Sequence, residues 1–226
     1  SLPDDAYWRR AVAAPHPAEV DPVGSFPFRI GPDDKVATAG SCFAQHIARR
    51  LSASGYHYFV PEPGHPILSE KVRRDFNYGL FSARFGNIYT SRQLLQLYQR
   101  AFGQFHPVDD AWQVEDRFVD PYRPTVQPQG FASLDELESD RKQHLAAVRR
   151  MFEELDVFVF TLGLTECWVY ARDGAAYPVC PGVSGGTFDP GSHHFINEKV
   201  SDVVSNIGTV LTALRQINPS CRVILT

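Results

Sequence analysis

The chain is 226 residues long, carries a formal net charge of −4 at pH 7 and has a pI near 6.0. Such a mild charge gives no electrostatic reason to expect binding to nucleic acid or to an anionic membrane surface. Because no run of about 18 apolar residues occurs, the sequence predicts no membrane-spanning helix.

The rest of the composition is typical of one globular domain in a reducing compartment. With 43% hydrophobic residues, the chain can bury one substantial core. Four cysteines in a chain of this length are not a disulfide framework, and the polar first ten residues do not resemble a signal peptide. We therefore expect a cytoplasmic protein, and the composition leaves its oligomeric state open.

Residues 1–34 contain six prolines and show little apolar periodicity. Prolines at this density interrupt regular helices and strands. The pattern predicts an extended N-terminal leader that wraps a domain beginning at residue 35, with a short helix around residues 6–12.

Residues 36–39 form a short apolar run, and a helical pattern follows almost at once. Phe43, Ile47 and Leu51 recur at a spacing of four, which places them on one face of a helix that Gly55 ends. The sequence therefore predicts a strand over 35–39 that turns sharply into a helix.

The turn between this strand and helix carries Gly40 and Ser41. Glycine permits a tight backbone, and the first free N–H groups of a helix point at any oxyanion that develops there. Ser41 is therefore a candidate nucleophile, with its own N–H as one oxyanion donor. The alternative is that Ser41 only caps the helix. Cys42 could instead be the nucleophile, because a helix N-terminus stabilises a thiolate. We expect its side chain, however, to point into the core.

The later elements alternate between strand and helix. Strand patterns occur at 56–60, 156–161 and 221–226, and helical patterns occur at 91–102, 133–155 and 197–217. Between them, residues 103–132 read as a long irregular insertion. Its aromatic residues could stack on sugar rings or fill core, and they are Phe105, Trp112, Phe118, Tyr122 and Phe131.

Residues 168–179 predict a β-hairpin with Asp173-Gly174 as its two-residue turn. That register places Val169 opposite Pro178 and Cys167 opposite Cys180. The two cysteines would be either neighbouring thiols or a disulfide.

Strands that alternate with helices predict an α/β fold with a mainly parallel sheet. The chain supplies four such strands and stops on the apolar strand 221–226. We therefore expect a fragment of a longer protein, with the last strand or strands of the sheet missing.

Residues 40–44 read Gly-Ser-Cys-Phe-Ala, and this string resembles the signature of the GSCFA domain family, which is similar to the SGNH (GDSL-like) hydrolases. The resemblance implies a flavodoxin-like, three-layer α/β/α domain over residues 35–226. It also implies that Ser41 is the nucleophile of an acyl-ester hydrolase or O-acyltransferase. The substrate would be a small-molecule or carbohydrate ester, with O-acylated sugars and lipids as candidates, and no cofactor is implied.

The same resemblance points to the oxyanion hole. Gly86 looks like the SGNH glycine whose N–H joins the hole, and Asn87 could donate from its amide; alternatively, the pair is only a turn. The next SGNH block, Gly-x-Asn-Asp, departs here to Gly163-Leu-Thr165-Glu166. A threonine hydroxyl donates one hydrogen bond but has a shorter reach than an amide. Glu166 could bind substrate hydroxyls or cap the following turn.

A serine nucleophile needs a histidine that an acid orients. SGNH enzymes carry both in an Asp-x-x-His block after the fifth strand, so we expect the base beyond Thr226. His193 and His194 are internal candidates for the base or for substrate contacts, or they are packing or surface residues. Glu62 begins a Glu-x-x-His string that we interpret as a turn, and His144 is expected to be a core or surface neighbour.

The histidines do not predict a metal site. His193, His194, Glu198 and Cys180 lack the His-x-x-x-His or Cys-x-x-Cys spacing that holds tetrahedral ligands. The rival to an esterase is a binding module that keeps the α/β scaffold without turnover.

Overall fold

The computed structural model describes residues 2–21 and 26–226. The chain divides into two compact units, Ser1–Gly31 and Pro32–Thr226. None of the helices in the described part of the chain is both long enough and apolar enough to cross a membrane.

The first unit consists of short helical turns joined by extended backbone. Two are 3₁₀ turns, at Asp4–Ala6 and Pro17–Glu19, and the third is a π-helical turn at Arg9–Ala13. They overlap the short helix expected around residues 6–12. Residues 1 and 22–25 of the predicted leader lie outside the described residues.

The second unit combines helices with a parallel three-stranded sheet, so the chain has an α/β fold. Its helices are α1 (Cys42–Ala53), α2 (Glu70–Asp75), α3 (Ser91–Ala101), α4 (Leu134–Glu154) and α5 (Val200–Ile217). Its strands are β1 (Val36–Ala39), β2 (Trp112–Val114), β3 (Arg117–Val119), β4 (Val157–Phe160), β5 (Glu166–Tyr170), β6 (Ala176–Tyr177), β7 (His193–Asn197) and β8 (Arg222–Leu225).

The central sheet is parallel and has the order β1-β4-β8. An isolated parallel bridge joins Tyr58 to Val36 beside β1, so the predicted strand over 56–60 is reduced to one bridge. Every residue of β1 and β4 is buried, as expected for the apolar strands of a parallel sheet, whereas β8 is only half-buried. The three-layer flavodoxin-like arrangement stays a prediction.

Helices α3, α4 and α5 pack on one another and supply most of the core. Phe152 of α4 lies edge-on to Phe158 of β4, with ring centroids 5.6 Å apart, and to Tyr98 of α3 at 5.4 Å. Aromatic pairs at such distances add to the hydrophobic gain from burial. Most of the apolar positions predicted for α3 and α4 are therefore core positions, as their periodicity indicated.

The buried face of α1 lies one residue away from the face that carries Phe43, Ile47 and Leu51. Its buried residues are Ala44 and Ala48, while Phe43 is 57% exposed. One residue is a rotation of 100° about the helix axis. Small residues face the sheet because a Cβ placed on Gly40 would lie only 3.3 Å from the Cβ of Ala44. The close approach of helix and strand end therefore excludes Phe43 from the interface.

The predicted hairpin forms, but its register is wrong by two residues. Val169 pairs with Ala176 rather than with Pro178, because the loop holds residues 171–174 instead of two residues. Cys167 is consequently not opposite Cys180, and both are free thiols. Strand β7, which the sequence pattern did not predict, pairs antiparallel with the other edge of β5.

The longer loop is held by Asp173. Its carboxylate accepts hydrogen bonds from the backbone N–H of Ala175 at 3.0 Å and of Val108 at 2.7 Å. The first bond closes the loop and the second fastens it to the insertion. Because both oxygens of Asp173 are used, the four-residue loop is favoured over the two-residue turn.

The insertion 103–132 is more regular than predicted, since β2 and β3 form an antiparallel hairpin within it. A buried charge network fastens it to α4. Arg123 bonds to Asp120 at 3.0 Å and to Asp140 of α4 at 2.8 Å, and Arg84 bonds to Asp140 at 2.7 Å. Burial would raise the pKa of Asp120, but Arg123 and the neighbouring arginines outweigh burial and lower that pKa.

We predict that Asp120→Asn destabilises the fold by about 3–5 kcal/mol, because it leaves Arg123 buried without part of its counter-charge. The measurement is the free energy of urea-induced unfolding. The control is Asp75→Asn, which removes an exposed pair with Lys71 and costs at most about 1 kcal/mol. Equal losses in the two variants would show that the network does not carry the stability assigned to it.

Candidate active site

The turn after β1 depends on the absence of a side chain at residue 40. Gly40 has φ +149°, and a Cβ there would lie 2.9 Å from the Cβ of Thr161. Thr161 is held this close because its N–H donates to the carbonyl of Ala39 at 3.0 Å, which extends the β1–β4 pairing. Only glycine fits the backbone angle and the space together.

Ser41 occupies the N-cap position of α1, with extended backbone angles of φ −83° and ψ −164°. Its hydroxyl nevertheless accepts no capping hydrogen bond from any described residue. The side chain is half-buried. Without a capping hydrogen bond, Ser41 lacks the main structural role of a serine at this position. Its hydroxyl is therefore available at the carboxyl edge of the sheet.

Cys42, the first residue of α1, is exposed, so the expectation that its thiol points into the core is wrong. The reason is the observed orientation of α1. The residues that face the sheet are Ala44 and Ala48, and Cys42 is two residues, or about 200°, away from Ala44 around the helix. Ser41 and Cys42 are therefore both accessible to reagents in solution.

The segment before α3 meets the Ser41 turn directly. The N–H of Ile88 donates to the carbonyl of Gly40 at 2.9 Å. Gly86, two residues earlier, is buried and has φ +70°. Asn87 is half-buried, and its Oδ1 is buried without a hydrogen-bond partner among the described residues.

The loop after β4 packs against the same segment. The N–H of Leu164 donates to the carbonyl of Tyr89 at 2.7 Å, and a Cβ on Gly163 would lie 3.0 Å from that oxygen. Three loops from distant parts of the sequence thus converge at the carboxyl ends of β1 and β4. Ligands of open parallel sheets bind at this edge.

Thr165 uses its hydroxyl within the fold. Its Oγ1 donates to Oδ1 of Asn197 at 2.7 Å, and its carbonyl accepts from the N–H of Glu198 at 2.8 Å. Glu166 is exposed and pairs with Asn197 across β5 and β7. The proton of the Thr165 hydroxyl is therefore directed at β7.

Glu198 is a site residue that sequence reasoning considered only as a metal ligand. Its side chain is fully buried and accepts hydrogen bonds from Ser91 at 3.2 Å, Arg92 at 3.1 Å and Asn206 at 2.9 Å. Together with the bond to Thr165, these contacts tie the start of α3, the loop after β4 and α5 together. Within the described ranges, no group of three or more metal-ligating side chains is present.

The two adjacent histidines occupy different environments. His193 is buried against the rings of Tyr170 and Phe188, and its Nδ1 accepts a hydrogen bond from the N–H of Asp189 at 3.0 Å. Because an N–H only donates, the proton of the neutral ring is on Nε2, which has no partner among the described residues. His194 is exposed on β7.

A buried acid–histidine pair, Glu62 with His144, was not predicted. Nδ1 of His144 lies 2.8 Å from the Glu62 carboxylate, which also accepts from the N–H of Arg84 at 2.7 Å. Burial would raise the pKa of Glu62, but His144, the Arg84 amide and the charge of Arg123 outweigh burial and lower it to about 2. Burial lowers the pKa of His144. At neutral pH, the pair is thus an ionised carboxylate beside a neutral imidazole.

The model of the GSCFA family matches residues 35–226, which include the turn at Ser41 and all three converging loops. The chain belongs to the GSCFA family. Comparison with curated proteins gave no match, and comparison with solved structures gave none either. The resemblance of the chain's motif residues to those of SGNH hydrolases stays a prediction.

We predict that Gly40→Ala costs about 2–5 kcal/mol of unfolding free energy, because it combines a disfavoured φ with overlap against Thr161. Gly55→Ala is the matched control, since Gly55 has φ +79° but no atom lies within 4 Å of the position that its Cβ would occupy. The control loses only the backbone contribution of roughly 1–2 kcal/mol. Chemical denaturation of both variants gives the difference, and equal costs would contradict the close approach at Thr161.

The Glu62–His144 pair predicts loss of stability in acid. The fold lowers the pKa of His144 below its ordinary value of 6.5, so the unfolded chain binds the proton more readily and stability falls as the pH drops below 6.5. Glu62 adds a further loss between its ordinary pKa of 4.5 and about 2. A tenfold difference in proton affinity between the folded and unfolded chain corresponds to about 1.4 kcal/mol of stability.

The measurement is the unfolding free energy of wild type and His144→Gln over a pH series. Glutamine keeps a donor for Glu62 but does not titrate, so the variant loses less stability between neutral pH and the onset of the Glu62 transition. Exposed His194→Gln is the control and follows wild type. A His144→Gln profile that parallels wild type throughout would rule out the role given to this pair.

Proposed function

We propose that this GSCFA domain is a serine-dependent acyl-ester hydrolase or O-acyltransferase. The observation that carries the proposal is the uncapped Ser41 hydroxyl on the strand–helix turn, at the edge where three loops converge. A free hydroxyl at a helix N-terminus, with backbone N–H groups beside it, supplies the nucleophile and the oxyanion donors of acyl transfer, and a histidine base completes the arrangement. The likeness to SGNH hydrolases supports the same interpretation.

In the proposed reaction, Oγ of Ser41 attacks the ester carbonyl while its proton passes to a histidine base. The N–H groups of Ser41 and Gly86 and the amide of Asn87 donate to the oxyanion. The alcohol then leaves with that proton, and water or an acceptor hydroxyl takes the acyl group from the serine. Substrates of this class include O-acylated sugars and lipids.

The other motif residues have lesser roles in this proposal. Thr165 joins the oxyanion hole only after its hydroxyl leaves Asn197, so Asn87 is the stronger candidate for the third donor. Gly163, Glu166 and His194 are proposed to contact substrate, since they are exposed on or beside the same loop and hairpin. His193 is proposed to position the rings of Tyr170 and Phe188 beside the hairpin, because its Nδ1 is occupied.

A binding module without turnover is the second candidate. It is favoured by one observation: the Thr165 hydroxyl and the His193 Nδ1, two groups of the predicted site, already have partners within the fold. A module of this kind would bind the same esters and release them unchanged.

We predict that Ser41→Ala lowers hydrolysis of p-nitrophenyl acetate by the full-length gene product by roughly 10³–10⁶-fold. Cys42→Ala is the matched control, because it removes the neighbouring accessible nucleophile and keeps Ser41. A fluorophosphonate probe labels wild type and Cys42→Ala but not Ser41→Ala.

The outcomes separate the candidates. If Cys42→Ala loses activity and Ser41→Ala keeps it, the nucleophile is Cys42 rather than Ser41. Absence of both turnover and labelling in a folded protein would favour the binding module. Labelling of Ser41 without turnover of this small ester would indicate an enzyme that requires its own acyl donor.

A further inference from the structure

A small polar cavity lies between α3 and the insertion 103–132, behind the segment that carries Gly86. Its volume is about 30 Å³, which is room for one small ion or for water. Its polar lining residues are Asn87, Gln93, Gln96, Arg100, Tyr122 and Arg123. The function proposed above uses none of the charged groups in this cavity.

Arg123 contributes an unused donor to this cavity. Its side chain is only 1% exposed, and its Nε and Nη2 bond to Asp120 and Asp140 of the buried charge network. Its Nη1 is buried and has no hydrogen-bond partner in the part of the chain that the structure describes. A buried donor of a charged group that lacks a partner is costly, so such a group commonly has a ligand or ordered solvent beside it.

Arg100 contributes a second cation. It is 8% exposed and lies over the ring of Tyr122, 4.2 Å from its centroid. Whereas Arg84, Arg123 and Arg141 each have a carboxylate within 4.0 Å, no described carboxylate lies that close to Arg100. Burial lowers the pKa of Arg100, and the charge of Asp120 opposes this effect only in part.

Asn87 completes the wall with an amide whose Oδ1 is buried and unpartnered among the described residues. The oxygen and nitrogen of an amide are assigned from their neighbours, and rotation by 180° exchanges them. Oriented with Nδ2 toward the cavity, Asn87 adds a third donor beside the two guanidinium groups. The two unpartnered groups, Nη1 of Arg123 and the amide of Asn87, then both require an acceptor.

We propose that this cavity is a binding site for a monovalent anion of halide size, with chloride as the physiological ligand. Arg100 and Arg123 supply the charge and Asn87 supplies a neutral donor. Because Asn87 follows Gly86, a bound halide would also fix the side-chain orientation of the segment beside the Ser41 turn. The inference concerns binding alone, but it shares Asn87 with the proposed oxyanion hole, so the halide and the oxyanion would use the same amide.

The test is thermal unfolding while sodium chloride is replaced by sodium gluconate at constant ionic strength. Gluconate is too large for the cavity. Chloride at ten times its dissociation constant is expected to raise Tm by about 3–5 °C relative to gluconate. A Tm that is equal in the two salts overturns the proposal and assigns the cavity to water.

Two variants distinguish this cavity from surface effects. Asn87→Asp places a carboxylate beside the two arginines, so it raises Tm in gluconate and abolishes the response to chloride. Arg100→Met abolishes the response by removing a cation. Arg149→Met is the matched control, because Arg149 also lies over an aromatic ring, at 5.0 Å from that of Phe102, yet lines no part of the cavity. It keeps the full chloride response.

A crystallographic experiment gives an answer that does not depend on variant stability. Wild-type crystals grown in sodium bromide are expected to show an anomalous peak between the guanidinium groups of Arg100 and Arg123. Density without an anomalous signal at that place overturns the proposal. A chloride response that persists in Asn87→Asp and Arg100→Met also overturns it, because the ion would then bind elsewhere.

Discussion

The close approach of two parallel strands at their carboxyl ends is the constraint on which the rest of the site depends. Ala39 and Phe160 pair across β1 and β4, and the next residues, Gly40 and Thr161, come so near that a Cβ on Gly40 would overlap Thr161. The chain therefore leaves β1 through a glycine, and α1 begins at once. Ser41 is consequently held at the sheet edge by backbone geometry rather than by side-chain contacts of its own.

Backbone hydrogen bonds and buried charges bring the other loops to this edge. Ile88 bonds to Gly40, Leu164 bonds to Tyr89, and Glu198 accepts from three side chains around the loop after β4. Ion pairs at the surface contribute little, whereas buried carboxylates with several donors are costly to disrupt. These contacts hold the loops together at the sheet edge, as the proposed acyl transfer would require of groups that must keep their positions.

A buried network of arginines and acids joins the insertion 103–132 to α4. Although the net charge of the chain is only −4, several arginines and acids are buried next to one another. Because they are removed from water, they form ion pairs with one another. This arrangement fastens a segment that has little hydrophobic periodicity. Among the described residues, no carboxylate lies within 4.0 Å of Arg100, and this is one of the observations on which the proposed anion site rests.

Local patterns in the sequence determined the α/β class, the strands β1, β4 and β8, the inner faces of α3 and α4, and Ser41 on the strand–helix turn. Each rests on interactions between residues close in the chain: apolar periodicity, glycine conformation and helix termini. The tertiary structure alone decided the inward face of α1, the hairpin register and the Glu62–His144 pair. These features depend on residues that are far away in sequence. Thr161 limits the space beside Gly40, and Val108 donates a hydrogen bond to Asp173, so no local pattern carries this information.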